Sequence, residues 1–402
     1  MKRIYTQIIK EHIADHKQMI FLVGPRQVGK TTVSLMAQEF SHELAYLNWD
    51  NLDHRKIILE GPSAIAQFIG IHKISKNLPV VVFDEIHKFG KWKQFLKGFY
   101  DTYKDQVKII VTGSAKLDIY KRGGDSLMGR YFPYRVHPLS LAELMNTAIR
   151  KKEIQKPSVP SKDSFKKLLK FGGFPEPYLK NNTRFSNRWQ SLRQDQLIKE
   201  DIRDLTRIQE LGQMEVLIEH LKWQAGGLVN YSTLASKSHM TVRTITKWLE
   251  TLYSTYFCFP IRPWTVNVPR SLVKEPKIYL WDWALIKDEG ARFENLVACH
   301  LLKAVHFWQD FGFGEYKLWF LRDKEKREVD FLVTKNNQPW FLVESKLSES
   351  KALNKNLFYF QEKLGMEYAF QVVADMQYVD KDCFEYKKPV IVPVETFLSQ
   401  LV

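Results

Sequence analysis

Cysteine is scarce in this chain, and three positions (Cys258, Cys299 and Cys383) hold all of it. No two of them are close in sequence, which excludes a disulfide framework or a cysteine-rich zinc site and is typical of a reducing compartment. The sequence also lacks an uninterrupted apolar run long enough to span a bilayer, and its first residues lack the apolar core of a signal peptide. We therefore expect a cytoplasmic protein that is not attached to a membrane.

The composition is that of folded globular domains. The chain has 402 residues, of which 45% are hydrophobic and 26% charged, and a chain of this length is expected to form about two to four domains. Its formal net charge of +15 favours a polyanionic partner, with nucleic acid first and an anionic membrane surface second. A soluble basic protein without such a partner has the same charge, so motifs must decide.

A glycine-rich loop at 24–32 follows a short apolar strand and precedes a helical pattern. Backbone N–H groups of such a loop bind the phosphates of a nucleotide, Lys30 can reach the β- and γ-phosphates, and the Thr31 hydroxyl can bind Mg²⁺. The alternative is a glycine-rich turn without a ligand. The predicted nucleotide-binding residues are Gly24, Pro25, Arg26, Gln27, Val28, Gly29, Lys30, Thr31 and Thr32.

A second buried strand pattern at 80–83 ends in two acidic residues, Asp84 and Glu85. Asp84 is predicted to hold Mg²⁺ through water, and Glu85 is predicted to polarise the attacking water. A carboxylate in the base position favours hydrolysis over passive nucleotide binding. The alternative is a strand followed by a solvated acidic turn.

Two further regions are candidates for the same site. The strand pattern at 107–112 leads to Ser114, and either Ser114 or Thr112 could sense the γ-phosphate, unless both belong to an ordinary strand-to-loop turn. Arg130 follows a loop with several glycines and could neutralise transition-state charge in its own chain or in a neighbour. Arg122 is the rival candidate, and either arginine can instead be a surface cation.

The fold class predicted from these patterns is α/β, beginning with a parallel sheet. Strand patterns at 19–23, 45–49, 80–83 and 107–112 are continuous apolar runs that alternate with helices, as in a parallel sheet covered on both faces. The predicted domains are an ATPase domain at 1–149, a linker and helical domain at 150–213, a winged helix-turn-helix at 214–289 and an α/β domain at 290–402.

Carboxylates recur in the last of these regions. Asp330 lies in one strand of a predicted hairpin, Glu344 and Lys346 lie on one side of the next strand, and the helix before them supplies Glu294. Converging carboxylates at Glu294, Asp330 and Glu344 bind Mg²⁺ or Mn²⁺, and Lys346 can help to activate water. The alternative is an ion pair of Glu344 and Lys346 in a domain kept for binding or assembly.

The helix predicted at 241–253 would expose Arg243, Thr244, Lys247 and Glu250. Such side chains can contact phosphates or base edges in a DNA major groove. A winged helix can equally serve as a packing module.

Several motifs together resemble one prokaryotic family, the AAA+-like (STAND-related) P-loop ATPases with a C-terminal domain of unknown function. The motifs are Gly-Pro-Arg-Gln-Val-Gly-Lys-Thr-Thr at 24–32, Phe-Asp-Glu-Ile-His-Lys at 83–88, Thr-Gly-Ser-Ala at 112–115, Gly-Arg at 129–130, Pro-Leu-Ser at 138–140 with Glu143, and Gly-Gly-Phe-Pro-Glu at 172–176. The resemblance implies an ATPase core, a helical and winged-helix middle, and a restriction-endonuclease-like C-terminal domain. The acid, Asp and Glu-x-Lys pattern likewise resembles the signature of PD-(D/E)XK nucleases.

Two functional hypotheses follow from the sequence. The first is an ATP-hydrolysing, homo-oligomeric enzyme that binds DNA and cleaves or remodels it through Glu294, Asp330, Glu344 and Lys346. The second is an ATP-controlled switch or scaffold whose C-terminal domain binds protein and is not catalytic.

Overall fold

The computed structural model describes residues 1–41, 43–71, 78–113, 127–202, 211–265, 275–350 and 352–402. The chain divides into two compact units, Met1–His137 with Thr147–Ile149, and Pro138–Asn146 with Arg150–Val402. The predicted boundaries after residues 213 and 289 fall inside the second unit, and the four-domain division stays a prediction. Along the part of the chain that the structure describes, no helix is long and apolar enough to cross a membrane.

The first unit is built on a five-stranded sheet in which every neighbouring pair is parallel. Its strands are β1 (Met19–Val23), β2 (Leu44–Asn48), β3 (Val80–Asp84), β4 (Lys108–Gly113) and β5 (Tyr131–Arg135). Their order in the sheet is β2-β3-β4-β1-β5. The all-parallel arrangement confirms the predicted sheet and is consistent with a P-loop NTPase fold. Strand β5 was not predicted, because Tyr-Phe-Pro-Tyr-Arg lacks the continuous apolar run of the other four.

Helices cover this sheet and supply its aromatic core. They are α1 (Ile4–Asp15), α2 (Lys30–Leu35), α3 (Leu52–Glu60), α4 (Pro62–Ile69) and α5 (Trp92–Tyr103), with a 3₁₀ turn at Met36–Glu39. Helix α5 buries Trp92, Leu96 and Phe99, which the helical repeat places on one face. The Phe99 ring meets Phe83 of β3 edge to face at 5.5 Å. Burying each such side chain stabilises the fold by about 1.5–3 kcal/mol, and together they hold β3 rigidly below the site.

The second unit contains a seven-stranded mixed sheet among its described residues. Its strands are β6 (Cys258–Pro263), β7 (Lys277–Leu280), β8 (Tyr316–Arg322), β9 (Glu328–Lys335), β10 (Gln338–Lys346), β11 (Tyr368–Val373) and β12 (Val390–Pro393), in the order β12-β11-β10-β9-β8-β6-β7. The hairpin of β6 and β7, predicted as a wing, therefore belongs to a larger sheet. A free wing would be solvated, whereas all four residues of β7 are buried.

The α-helices of the second unit lie before, between and after its strands in sequence. They are α6 (Leu141–Met145), α7 (Ser164–Phe171), α8 (Pro175–Lys180), α9 (Thr183–Gln196), α10 (Leu211–Trp223), α11 (Tyr231–Lys237), α12 (Val242–Ser254), α13 (Glu289–Asp310), α14 (Lys355–Leu364) and α15 (Val394–Ser399). Helix α13, predicted from Glu294, begins five residues earlier because Asp288 caps it by accepting a hydrogen bond from the Ala291 N–H.

Helices α11 and α12 lie in the region for which the sequence predicts a winged helix-turn-helix, and that assignment stays a prediction. The Thr241 side chain accepts a hydrogen bond from the Thr244 N–H and so fixes where α12 begins. Arg243, Lys247 and Glu250 are exposed, as expected for the outer face of this helix. Val242, in the first turn of α12, is 44% exposed.

Candidate functional site: the phosphate loop and a carboxylate cluster

The loop after β1 has a backbone that only particular residues can adopt. Gly24 has φ +153°, and a Cβ added to it would lie 2.2 Å from the Val136 carbonyl oxygen. Gln27 and Gly29 also have positive φ, at 60° and 95°. A loop with close backbone packing and left-handed turns directs N–H groups inward, as an anion-binding loop requires. The backbone therefore fits the predicted phosphate-binding role.

Lys30 lies at the start of α2, and its ammonium group bends back over the loop. Its Nζ donates hydrogen bonds to the Gly24 carbonyl at 2.9 Å and to the Pro25 carbonyl at 2.6 Å. The residue is only 7% exposed. These contacts hold a positive charge at the predicted nucleotide-binding residues.

Asp84, at the end of β3, contacts the end of the phosphate loop and both neighbouring strands, β2 and β4. Its Oδ2 accepts hydrogen bonds from the Thr31 hydroxyl at 2.9 Å and the Tyr46 hydroxyl at 2.6 Å. Its Oδ1 accepts a hydrogen bond from the Thr112 hydroxyl. The strand order explains this arrangement, since Asp84 on β3 is in register with Asn48 on β2 and Thr112 on β4. The two residues predicted to hold Mg²⁺, Thr31 and Asp84, are thus in contact.

Tyr46 is a site residue that the sequence did not reveal. Burial, followed by its hydrogen bond to Asp84, raises the pKa of the Tyr46 phenol above its ordinary value. The phenol therefore stays protonated and remains a donor at neutral pH. Period-two alternation along β2, which sets Tyr46 on the same side as Asn48 beside the acidic strand end, was the available signal.

Glu85 follows Asp84 in a left-handed conformation with φ 53°. Its Oε2 lies 3.6 Å from His87 Nε2 and 3.6 Å from Lys88 Nζ. Lys88 also donates to Asp50 at 2.6 Å. Burial lowers the pKa of His87, so its imidazole is neutral at neutral pH. The Glu85 carboxylate therefore lies near the side chains of His87 and Lys88.

Three further residues predicted for this site are Ser114, Arg122 and Arg130. Ser114 and Arg122 lie outside the described residues. Arg130 binds Asp101 through two hydrogen bonds of 2.8 and 3.0 Å, and its carbonyl accepts from the Met19 N–H. Met19 begins β1, whereas the phosphate loop follows the other end of that strand, about 13 Å away. Arg130 is thus not brought to the loop of its own chain, and action in a neighbour stays a prediction.

A buried arginine, Arg3, contacts the phosphate loop, and no sequence pattern indicated this contact. Arg3, which is 4% exposed, donates to the Val28 carbonyl at 2.8 Å and to the His137 carbonyl at 2.7 Å. The Tyr5 hydroxyl accepts a hydrogen bond from the His137 N–H at 2.9 Å. Helix α1 therefore ties the phosphate loop to the end of β5.

In the second unit, the predicted carboxylates converge. The Asp330 N–H on β9 donates to Glu344 Oε2 on β10 at 3.3 Å. Asp330 Oδ2 accepts from the Ser345 N–H at 2.9 Å and the Ser345 hydroxyl at 2.8 Å. Glu344 Oε1 accepts from Lys346 Nζ at 2.7 Å and from Asn354 at 2.8 Å. The hairpin thus brings Asp330, Glu344 and Lys346 together, as its register predicted.

Glu294 joins this cluster from helix α13 through two donors on β7. The Tyr279 hydroxyl donates to Glu294 Oε1 at 2.7 Å. Lys277 Nζ lies 3.4 Å from the same oxygen, 3.6 Å from Asp330 Oδ1 and 2.8 Å from Glu328 Oε1. No sequence pattern had pointed to Lys277. We refer to Lys277, Glu294, Glu328, Asp330 and Glu344 as the carboxylate cluster.

Burial and mutual repulsion control protonation in this cluster. Burial, and then the charge of Asp330, raise the pKa of Glu294 to about 7 and raise the pKa of Glu344 above its ordinary value. Burial opposes the charged form of Lys277, but the carboxylates of Glu294, Asp330 and Glu328 outweigh it and raise its pKa. Lys277 is therefore a permanent cation inside a group of acids.

The same contacts test the fit of a divalent metal ion. No group of three or more acidic, histidine or cysteine side chains within the described ranges has the arrangement of a metal site. The position between Glu294 and Asp330 is next to the Lys277 ammonium group. The predicted Mg²⁺ or Mn²⁺ site therefore does not fit the cluster with Lys277 in place.

Three family models match successive regions of the chain. Residues 16–145 match the family model described as an AAA domain. Residues 162–288 and 289–395 match models described as domains of unknown function, DUF8612 and DUF4143. The AAA match, together with the parallel sheet, supports an AAA-like ATPase. The match over 289–395 carries no functional description, so the expected nuclease-like fold is not confirmed.

Similar proteins occur in distant organisms. An uncharacterized protein of Methanocaldococcus jannaschii is 23% identical over 345 residues, which are 82% of this chain and 75% of the relative. An uncharacterized protein of Haemophilus influenzae is 21% identical over 362 residues, 84% of this chain and 85% of that protein. The solved structure of C. elegans PCH-2 aligns over 61% of this chain and 65% of its own chain, with 16% identity and a TM-score of 0.26.

Proposed function

We propose that the protein hydrolyses ATP at the phosphate loop and uses the cycle to act on DNA. The contact of Thr31 and Asp84 through a 2.9 Å hydrogen bond carries the first part of this proposal. It joins the loop of the AAA-like domain to the acidic strand end, as a shared Mg²⁺ site requires. Bound Mg²⁺ would supply charge neutralisation at the phosphates. Lys30 binds phosphate, and Thr31 and Asp84 hold the ion.

Glu85 is the proposed general base. It follows Asp84 directly, and its carboxylate lies near His87 and Lys88, whereas Asp84 accepts from the hydroxyls of Thr31 and Tyr46. A carboxylate at this position can accept a proton from water while Asp84 retains its own contacts. Colorimetric phosphate release from ATP tests the site, with Lys30→Ala as the variant that should lose nucleotide binding. Equal phosphate release from Lys30→Ala and the unchanged chain would remove the proposal.

DNA is the proposed partner of the second unit. The net charge of +15 and the exposed Arg243 and Lys247 on α12 support this proposal. Fluorescence anisotropy with a DNA duplex should show affinity that falls steeply as salt rises. Replacing Arg243 or Lys247 by Ala should each reduce the slope by about one. Lys381→Ala, a change at another exposed lysine, serves as the control and should leave the slope unchanged.

Cleavage through Glu294, Asp330, Glu344 and Lys346 is the second candidate for the second unit. Their convergence favours it, but it requires a metal ion to displace Lys277 from the cluster. The rival is an ATP-controlled switch or scaffold with a non-catalytic C-terminal region, and the ammonium of Lys277 among the acids favours it. Incubation of plasmid and branched DNA with Mg²⁺ or Mn²⁺ separates the two. Cleavage that disappears in Asp330→Ala supports a nuclease, whereas no cleavage by either protein supports the rival.

A further inference from the structure

We propose that Lys277 is the resident cation of the carboxylate cluster and that it excludes divalent metal ions from it. The inference rests on the proposed function of the second unit, and it assigns the carboxylate cluster a metal-free state, which favours the non-catalytic rival over metal-dependent cleavage. It does not depend on ATP hydrolysis at the phosphate loop.

The distances place one ammonium group where a metal ion would have to bind. Lys277 Nζ is 2.8 Å from Glu328, 3.4 Å from Glu294 and 3.6 Å from Asp330. Only 5% of its side chain is exposed, so it cannot move into solvent without opening the cluster. Mg²⁺ and Mn²⁺ bind carboxylate oxygens at about 2.0–2.2 Å. An ion held by Glu294 and Asp330 would therefore lie against a like charge at short range, where repulsion is strong.

Several oxygens of the cluster also accept hydrogen bonds from other donors of the protein. Glu294 Oε1 accepts from Tyr279, and Asp330 Oδ2 accepts from the backbone and hydroxyl of Ser345. Glu344 accepts from Lys346, and from Asn354 at the start of α14. Binding a metal ion would break several of these hydrogen bonds, each worth about 1.5–3 kcal/mol for a charged acceptor. The carboxylates are thus arranged around donors.

Charge balance gives the inference a direct consequence. Two ammonium groups, Lys277 and Lys346, stand against the carboxylates of Glu294, Glu328, Asp330 and Glu344. Removing Lys277 leaves buried acids without their central cation, and buried acids must then take up a proton or another cation. A chain with Lys277→Met should therefore gain the divalent-ion site that Lys277 blocks.

The test measures Mn²⁺ binding to the full chain without nucleotide, by electron paramagnetic resonance of the free ion. Every sample carries Asp84→Asn, so that the phosphate loop contributes no metal site. In the chain that keeps Lys277, Asp330→Asn should cause no loss of Mn²⁺ binding, because the carboxylate cluster binds none. Lys277→Met should gain about one Mn²⁺ site. It should bind Mn²⁺ at least about tenfold more tightly than the chain with Lys277 does, and Lys277→Met with Asp330→Asn should lose this site again. Lys277→Arg, which keeps the charge, should gain nothing.

Two results would overturn the inference. One is that the chain with Lys277 binds Mn²⁺ and that Asp330→Asn abolishes this binding. This comparison needs no change at Lys277 and so decides the matter even if Lys277→Met does not fold. The other is a folded Lys277→Met chain, checked by its melting curve, that gains no site. Phosphate release by the chain with native Asp84 is measured separately, so failure of the ATPase proposal is not confused with failure of this one.

Discussion

The Tyr46 hydroxyl donates a hydrogen bond of 2.6 Å to Asp84 Oδ2, the same oxygen that accepts from Thr31. Strand β2 thereby fixes the carboxylate on β3 that is proposed to hold Mg²⁺. Because a raised pKa keeps the phenol protonated, this contact persists across the neutral pH range.

Replacing Tyr46 by Phe should slow ATP hydrolysis and increase the Mg²⁺ concentration needed for half-maximal rate. A hydrogen bond to a charged acceptor is worth about 1.5–3 kcal/mol, so we expect an effect of about tenfold or more. Steady-state kinetics at varied Mg²⁺ measure both quantities. Tyr386→Phe, at an exposed position of the second unit, should change neither. An unchanged Mg²⁺ requirement in Tyr46→Phe would remove Tyr46 from the site.

Replacing Gly24 by Ala should weaken ATP binding and destabilise the first unit by about 2 kcal/mol, a typical effect of overpacking. The reason is the 2.2 Å approach of the added Cβ to the Val136 carbonyl oxygen, at φ +153°. Gly98→Ala is the matched control, because nothing lies within 4 Å of its added Cβ and alanine favours a helix by about 1 kcal/mol. Chemical denaturation should show opposite signs for the two changes.

Lys303 and Glu143 form a fully buried ion pair at 2.5 Å within the second unit, and Lys303 also donates to Ser140. Replacing Lys303 by Met should lower the free energy of unfolding by about 3–5 kcal/mol, since the Glu143 charge stays buried alone. Adding Glu143→Leu should restore much of that loss. A double variant as unstable as Lys303→Met would show that packing, and not the unpaired charge, is responsible.

The raised pKa of Glu294 predicts a pH-dependent loss of stability. In the folded chain Glu294 has a pKa of about 7, against an ordinary value of 4.5. As pH rises between these values, the unfolded chain releases this proton before the folded chain does, so the contribution of Glu294 to stability falls. The free energy of unfolding of the unchanged chain, minus that of Glu294→Gln, should therefore decrease from pH 4.5 to 7. A constant difference would contradict the altered pKa.

Local patterns were sufficient to predict the phosphate loop and four of the five strands of the first sheet. The runs at β1, β3 and β4 are continuous and apolar, and the loop motif lies directly between a strand and a helix. The pairing of Asp330 with Glu344 was also predictable, because a short hairpin sets its own register.

Contacts between distant parts of the chain were not predictable from those patterns. Lys277 is 53 residues before Asp330 in sequence and reaches it only because β7 and β9 belong to one sheet. Arg130 was misjudged for its own chain because a Gly-Arg pair does not reveal which edge of a sheet it occupies. Arg3 acts through hydrogen bonds to the Val28 and His137 carbonyls, far away in sequence, and Tyr46 was indicated only by the alternation along β2.

The most direct test of ATP hydrolysis at this site compares the unchanged chain with Glu85→Gln in two assays. Phosphate release from Mg·ATP should fall by about 100-fold or more when the general base is removed. Binding of ATP, measured by isothermal titration calorimetry, should persist, because Lys30 and Thr31 are intact. Equal phosphate release from Glu85→Gln and from the chain without substitutions would contradict ATP hydrolysis with Glu85 as the general base. Failure of the chain without substitutions to bind ATP would contradict it as well.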